Sequence, residues 1–593
     1  MKIGSDNIGS LFLGTEEIGK AYLGTGLVHE EMKFVVVHPD YWYFEITTTS
    51  NDYWINMFYA TQVQTYILDD VDVTSSCTSY GTVFGIEFGQ IKIPTAGRHT
   101  IWVSPSQWSA GSTDILGPIG ADVLYVGNHL SSSFDAPNSL TTLYITSTTP
   151  PEQPSTSNFA SLEHIYVPKH LVNTYKAAWS AWSNIIEGIT FDSTIKEMSL
   201  RMSKSFIADN PTILYGGYER WTYRGGLLLR GVLGVYDAYS NEKDVSDLLA
   251  YAKKYYHDCV NSGGIVGGAW GSYAKSNYDS DQVQAAFNLF RLKQLDSDTT
   301  YQGYYENVIG ILIDQLADQP RLAEPTSVSG TAGHPFQHKA NYAYQHWLDG
   351  DFMVEPFRAL YAHDRLSGQS QADMYDDIVE QLINTAALTY DTDTQLYRHA
   401  FAGQGSSASW SENGANTVGR SYFSWGMALG WYILGICEVL DIIPSTHNPT
   451  RRADLINILS GLLTRLLTYR DTSGVWALLP TLAVDTTNNK LEATSSCMYA
   501  YGYLHGVRMG YLSADMRDTA LSIYQAVVRN FVVSVGASVT LKNCVTGGNP
   551  GASSTTQTDV LNNYYSKPFA DNDEHGVGPF IMASLEYELI TTT

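Results

Sequence analysis

The chain has 593 residues, 44% of them hydrophobic and only 16% charged, with a net charge of −25. Such an acid excess argues against nucleic acid as a partner, because phosphate binding needs a basic surface, and against an anionic membrane surface. It leaves room for an acidic sugar, since one local Lys or Arg outweighs a distant field at short range.

The length suits several domains or one long helical array, with enough apolar material for a large core. Tyr occurs 41 times and Trp 13 times, and flat aromatic faces with a polar handle suit carbohydrate. Five cysteines, Cys77, Cys259, Cys437, Cys497 and Cys544, are scattered without any C-x-x-C pair. Neither a disulfide framework nor a metal site is expected. The start, Met1-Lys2-Ile3-Gly4-Ser5-Asp6-Asn7, lacks a basic segment followed by an apolar one. No secretory signal is therefore read there, and no run of about 18 apolar residues is available to span a membrane.

Residues 1–31 carry a tandem repeat of period ten. Ile8-Gly9-Ser10-Leu11-Phe12-Leu13-Gly14-Thr15 is followed by Ile18-Gly19-Lys20-Ala21-Tyr22-Leu23-Gly24-Thr25. Each unit reads as a strand closed by a tight turn. Too small to bury a core, the segment should dock on something larger. It resembles the N-termini of structural proteins of phages that infect gut Bacteroidales. That resemblance implies attachment to a virion, with other phage tail proteins as partners, a homo-oligomeric fibre and action at the bacterial surface. It would also account for a missing export signal.

Residues 32–190 read as β-rich, for example Val35-Val36-Val37, Tyr41-Trp42-Tyr43-Phe44-Glu45-Ile46 and Gly85-Ile86-Glu87-Phe88, separated by Ser, Thr and Gly. Leu140-Thr141-Thr142-Leu143-Tyr144-Ile145 and Leu162-Glu163-His164-Ile165-Tyr166-Val167 lie about twenty residues apart and precede Tyr175-Lys176-Ala177-Ala178-Trp179. This end resembles the last turns of leucine-rich repeats in Bacteroidales surface proteins, which implies a spacer or a binding surface.

From 191 to 593 apolar residues recur at helical spacing, as in Leu227-Leu228-Leu229-Arg230-Gly231-Val232-Leu233 and Leu455-Ile456-Asn457-Ile458-Leu459. Some 400 residues of helical hairpins fit an all-α (α/α)6 barrel, so the whole chain is multidomain, β-rich first and helical after. Sites in such a toroid sit on the loops at one end.

The most informative segment is His346-Trp347-Leu348-Asp349-Gly350-Asp351-Phe352-Met353. A carboxyl beside an indole is costly to ionise, and a carboxylic acid kept protonated suits acid catalysis on a sugar. The segment resembles the W-L-D-G-x-x-M signature of the unsaturated rhamnogalacturonyl hydrolases, glycoside hydrolase family 105. Further segments follow in that family's order. They are Arg220-Trp221-Thr222-Tyr223-Arg224-Gly225-Gly226, Phe336-Gln337-His338-Lys339, Leu396-Tyr397-Arg398-His399-Ala400, Trp425-Gly426-Met427-Ala428-Leu429-Gly430-Trp431-Tyr432, and Asn572-Asp573 with Gly576-Val577-Gly578-Pro579-Phe580.

The resemblance implies a substrate ending in a 4,5-unsaturated uronic acid and a reaction begun by protonating C4, with neither metal nor organic cofactor. It makes Asp349 the acid/base and Asp281, in Ser280-Asp281-Gln282-Val283, the second carboxylate, with Asp279 as the alternative if the register slips by two. His399, Trp425, Trp431, Trp347, His338 and Tyr342 become candidates for holding the sugar. Each has a plainer reading as well: Asp349 as a buried helix cap, Asp281 as a cap or surface acid, His399 as a satisfied loop histidine, and Trp425 and Trp431 as barrel core. Met427 stands where the family has an arginine that could pair with a uronate carboxylate. Arg420, Lys339 or Arg398 could substitute; otherwise the substrate is altered, or the protein is a glycan-binding adhesin without turnover. A bacterial enzyme unattached to a virion is a third reading.

Overall fold

The computed structural model describes residues 197–592 apart from 216–217, 220, 267–272, 326–332, 486, 536–537 and 552, together with the strands between 12 and 126 and most of 140–189. The chain divides into two units, Met1–Lys196 and Glu197–Thr593.

In the first unit, eight strands form one sheet in the order Ile186–Ile189, His164–Pro168, Thr142–Ile145, Ala121–Val126, Trp42–Thr48, Gly97–Pro105, Val63–Leu68 and Val71–Asp72. The first four run parallel, and the remainder pair antiparallel. In the parallel part Leu143, Ile165 and Ile186 fall in register and are buried. Tyr144 and Tyr166 stack beside them with ring centroids 4.8 Å apart. Helix α1 (Val172–Ala178) follows, with Tyr175, Trp179 and Trp182 buried. Within the ten-residue repeat, Phe12–Leu13 pairs with Glu16–Glu17 and Lys20–Leu23 with Gly26–Glu30. The rest of the repeat lies outside the described residues.

The second unit consists mainly of helices: α2 (Met198–Asp209), α3 (Tyr223–Tyr239), α4 (Ser246–Cys259), α5 (Asp281–Gln284), α6 (Leu289–Leu295), α7 (Thr299–Asp318), α8 (Leu348–Arg365), α9 (Gly368–Thr389), α10 (Gly426–Ile442), α11 (Pro449–Leu466), α12 (Ala493–Arg508), α13 (Arg517–Phe531), α14 (Gln557–Tyr565) and α15 (Glu574–Thr592). A 3₁₀ turn, Ala285–Asn288, joins α5 to α6. Six elements form a closed inner ring: α3, α5–α6, α8, α10, α12 and α15, each against the next, with α15 returning to α3. Helices α4, α7, α9, α11 and α13 each pack on the inner helix before them, and α2 packs on α15. This is an (α/α)6 toroid closed by α15 against α3.

The patterning explains the two rings. Helix α10 is buried from Gly426 to Leu440 on every face, as an inner helix must be. Outer helix α4 buries Leu248, Tyr251, Ala252, Tyr255, Tyr256 and Cys259, a stripe at spacings of three and four. Caps fix the inner starts. The Thr222 hydroxyl accepts from the Gly225 N–H ahead of α3, and the Glu492 carboxylate accepts from the N–H groups of Thr494 and Ser495 ahead of α12.

At the C-terminal end of α12, His505 is clamped between Glu586 (Nδ1–Oε1 3.0 Å) and Asp441 (Nε2–Oδ2 2.9 Å). Burial alone would lower its pKa, but the two carboxylates push it up to about 9. A raised histidine stabilises the fold fully below its unfolded pKa, near 6.5, and the contribution disappears as pH rises through 9. We therefore expect the melting temperature to fall between pH 6.5 and 9.5, with about 3 kcal/mol at stake. In His505→Gln that slope should flatten. Thermal melts across this range decide it, and an unchanged slope in the variant would remove His505 as the cause.

Candidate active site

At the mouth where α3, α5 and α8 begin, an open cleft of about 1060 Å³, solvent at the opening included, is lined by residues from four parts of the toroid. Asp279, Asp281 and Gln282 come from the start of α5, and Lys339, Tyr342 and Trp347 from the segment before α8. Tyr223, Arg224 and His575 come from the starts of α3 and α15, and Thr546 to Asn549 with Lys567 and Pro568 from the loops flanking α14.

A small sheet places the central group. Trp347 pairs with Ala400 across Gln345–Trp347 and Ala400–Ala402, and Phe401 pairs with Arg420 beyond. The Leu348 N–H donates to the His399 carbonyl at 3.0 Å, and the His399 N–H to the Phe423 carbonyl at 3.1 Å. Asp349 in the first turn of α8 thereby faces His399, with Oδ2 3.2 Å from Nε2. Asp349 is only 9% exposed, and its Oδ2 has no satisfying hydrogen bond. Behind it, His399 Nδ1 meets the Tyr564 hydroxyl at 2.7 Å, and the Trp425 ring lies tilted 4.8 Å from the imidazole.

Beside this group Trp347 offers a platform. His338 stacks on it at 4.4 Å and Tyr342 at 4.7 Å between centroids. Tyr342 and Trp347 also line the cleft, so an aromatic surface suited to a sugar ring lies next to the Asp349 turn.

The electrostatics separate the carboxylates. Lys339 Nζ lies 2.5 Å from Asp281 and 3.1 Å from Asp279. Burial alone would raise Asp281, but Lys339 and then His338 outweigh it and hold its carboxyl below the usual carboxylate range. For Asp279, burial and the Asp281 charge win over Lys339 and push its carboxyl up to about 6. Burial pushes His338 down to about 4, so it is neutral near neutral pH. Tyr223 is raised well above its ordinary value, first by burial and then by Asp281, with Asp349 contributing too. The charges of both predicted carboxylates thus act on one phenol.

That phenol begins a chain of hydrogen bonds. Tyr223 Oη lies 2.7 Å from His575 Nε2, and His575 Nδ1 lies 2.6 Å from Asp573 Oδ1. Asp573 also accepts from Arg224 at 2.8 Å, and Arg224 contacts Glu574 as well.

The structure brings Asp281, Asp349, His399, Trp347, His338, Tyr342 and Trp425 together at this end. Of the predicted sugar-binding residues, Tyr342 and Trp347 line the cleft, whereas His338, His399, Trp425, Trp431 and Arg420 do not. Trp431 is 1% exposed and stacks on Phe352 at 5.2 Å between α10 and α8, because the second turn of an inner helix points into the ring. Arg420 is fixed in its strand by Glu412 (Nε–Oε1 2.6 Å), with the Tyr390 carbonyl and Asp391 beside it. Arg398 is likewise held, by Asp391 at 2.9 Å and the Tyr422 carbonyl. Met427 is buried and lines no part of the cleft. Sequence reading passed over Tyr223, His575, Asp573 and Lys567. The available signals were the segment Trp221-Thr222-Tyr223-Arg224 and the polar run Asn572-Asp573-Glu574-His575 turning into an apolar helix.

Asp279 gives a testable pH effect. Its folded pKa lies above the unfolded value, so it takes up a proton as pH falls through about 6, and the cleft gains one unit of positive charge. KM for an anionic saccharide should drop roughly threefold to tenfold from pH 7 to pH 5. Asp279→Asn should lose that step, and KM–pH profiles of the two proteins check it.

A closed ring of helical hairpins with carboxylates, a histidine and stacked aromatic rings at one mouth defines a glycan-active helical toroid. Residues 198–591 match the model of Glycosyl Hydrolase Family 88. The chain belongs to that family, and it is a glycoside hydrolase. It is 25% identical over 243 residues to the 24.9 kDa protein in picA locus of Rhizobium radiobacter, covering 40% of this chain and 98% of that one. It is 24% identical over 283 residues to the unsaturated rhamnogalacturonyl hydrolase YesR of Bacillus subtilis, covering 46% of this chain and 68% of YesR. Among solved structures, a family 105 glycoside hydrolase of C. acetobutylicum ATCC 824 superposes with a TM-score of 0.56 at 28% identity, over 66% of this chain and 99% of that one.

Proposed function

We propose that this hydrolase removes a 4,5-unsaturated uronic acid of the rhamnogalacturonyl type from the non-reducing end of a glycan. The observation that carries the reading is the buried Asp349–His399 contact, one turn from Trp347, which lines a cleft that also holds Asp281 and Lys339. The similarity to YesR supports the substrate class.

Asp349 delivers its proton to C4 of the enol ether, and positive charge develops at C5 and the ring oxygen. Water adds at C5 and returns a proton to the Asp349 carboxylate. The resulting hemiketal opens to a 5-keto sugar, and the hemiacetal left at C1 expels the remainder of the glycan. His399 holds Asp349 in place, and Asp281, kept ionised by Lys339, favours the developing cation.

The test is loss of the ultraviolet absorbance of the conjugated double bond. The protein is mixed with lyase-digested rhamnogalacturonan and, separately, with lyase-digested glycosaminoglycan. Loss on the first and not the second is expected; no loss on either would overturn the reading.

The ten-residue repeat at 8–25 supports a second element of the proposal. The enzyme is carried on a phage tail, as a homo-oligomer bound to other tail proteins, and acts at the host surface. Finding the chain in purified particles supports this, and its absence from them overturns it.

A further inference from the structure

The cleft is an unfavourable place for an anion. Asp279 and Asp281 line one wall, and the positive groups nearby are already engaged. Lys339 is shared by Asp279 and Asp281, and Arg224 is bound by Asp573 and Glu574. Met427 supplies no charge, and Arg420 and Arg398 are committed elsewhere. A uronate substrate still needs a cation for its carboxylate.

One lining cation differs. Lys567, just past α14, is half-buried in the cleft wall, and its Nζ donates to the Asn563 Oδ1 at 3.0 Å. Among the described residues no carboxylate pairs with it. Burial pushes its ammonium below the ordinary lysine value, with no opposing charge to restore it. In a chain of net charge −25, a partly desolvated ammonium without a carboxylate partner is costly, and the cost is recovered when an anion binds.

The wall is tied to the Asp349 group. The Thr546 N–H donates to the Pro568 carbonyl, and Asn563 donates to the Asn549 carbonyl and Oδ1. Gly548 lies so close to Trp425 that an added Cβ would sit 2.7 Å from the indole, and Trp425 lies against His399. Tyr564, on the same helix that leads to Lys567, reaches His399 Nδ1. Lys567 therefore lines the same cleft as Asp281 and Lys339, on a segment tied to the Asp349 group.

We propose that Lys567 is the receptor for the carboxylate of the terminal unsaturated uronate. The inference rests on the proposed substrate class. Lys567 binds and selects the substrate and moves no proton.

The experiment compares an unsaturated uronyl disaccharide with its methyl ester, which keeps the double bond and removes the charge. Lys567→Met should raise KM for the acid by roughly 10- to 100-fold, with the loss concentrated in KM. For the ester, wild type and Lys567→Met should have the same KM. Lys567→Arg should keep most of the preference for the acid. Equal effects on acid and ester, or no effect, overturn the proposal. Retained discrimination in Lys567→Met with loss in Lys339→Met also overturns it and assigns the carboxylate to Lys339. If acid affinity depends on Lys567 only when the neighbouring sugar is itself a uronate, the receptor serves that second carboxylate and the proposal fails. Should wild type turn over neither compound, the proposed function fails. Calorimetric binding of acid and ester to wild type and Lys567→Met then still decides the role of Lys567.

Discussion

Asp349→Asn is expected to lower kcat by about a thousandfold, the middle of the range for removing a general acid, with little change in KM. The reason lies in how the carboxylates are held. Asp281 is fixed by Lys339 at 2.5 Å and by His338 at 3.4 Å, and it stays ionised. It cannot give up a proton it does not carry. Asp279 is drawn into the same lysine. Asp349 faces only a histidine, at 3.2 Å, and keeps an oxygen without a satisfying partner beside the aromatic platform. Asparagine fills the same volume and can still offer an oxygen to His399, so the fold should tolerate it. The checks are kcat on the unsaturated substrate and the melting temperature. A large fall in melting temperature would give Asp349 a structural job as the first-turn residue of α8. Retained turnover would move the acid elsewhere, with Asp279 the next to test.

Much of the helical unit could be read from the sequence, for a physical reason. Outer helices such as α4 are apolar along one stripe, so their period is visible. Inner helices such as α10 are apolar on every side, and no period tells which face meets the cleft. Trp425 and Trp431 show the result. Both sit in one recognisable segment, yet Trp425 ends beside His399 while Trp431 turns into the ring against Phe352. Only the depth of the helix in the toroid separates them. Arg420 is held differently, since strand pairing with Phe401 and an ion pair with Glu412 eight residues earlier decide its direction. Asp349 and His399 each lie within two residues of a strand of one short sheet, and that pairing brings them face to face. Tyr223 and His575 were not legible as a pair. They are 352 positions apart and meet only because the last helix closes the ring against the first inner one. Lys567 has no sequence signal at all, because what marks it is that no carboxylate among the described residues pairs with it.

Inner-ring packing also makes a glycine that lines no part of the cleft matter to the chemistry. Gly226 lies in α3 where that helix crosses the 3₁₀ turn Ala285–Asn288, and an added Cβ would sit 2.6 Å from the Ala285 Cα and 2.2 Å from the Gln284 Oε1. The glutamine amide could swing aside, but the backbone at Ala285 is not free to yield. Asn288 donates to the Gly226 carbonyl at 2.8 Å, the Tyr256 hydroxyl to the Ala285 carbonyl at 2.7 Å, and the Trp221 indole to the Gln282 carbonyl at 2.7 Å. These bonds fix the four-residue helix that begins with Asp281. Gly226→Ala gains about 1 kcal/mol of helix propensity but must push that helix outward, at about 1–3 kcal/mol or more for overpacking. A net loss of stability of up to about 2 kcal/mol is the expected result. The catalytic effect should be larger. A displacement near 1 Å at a catalytic group costs about a hundredfold in rate, and Asp281 and its Lys339 bridge would move together. We expect kcat of Gly226→Ala to fall about a hundredfold while the protein stays folded at assay temperature. Gly303, where an added Cβ meets nothing within 4 Å, is the control, and Gly303→Ala should keep full activity. Equal activity in the two variants would show that the α3–α5 crossing does not set the position of Asp281, and the site would then owe its geometry to the Lys339 bridge alone.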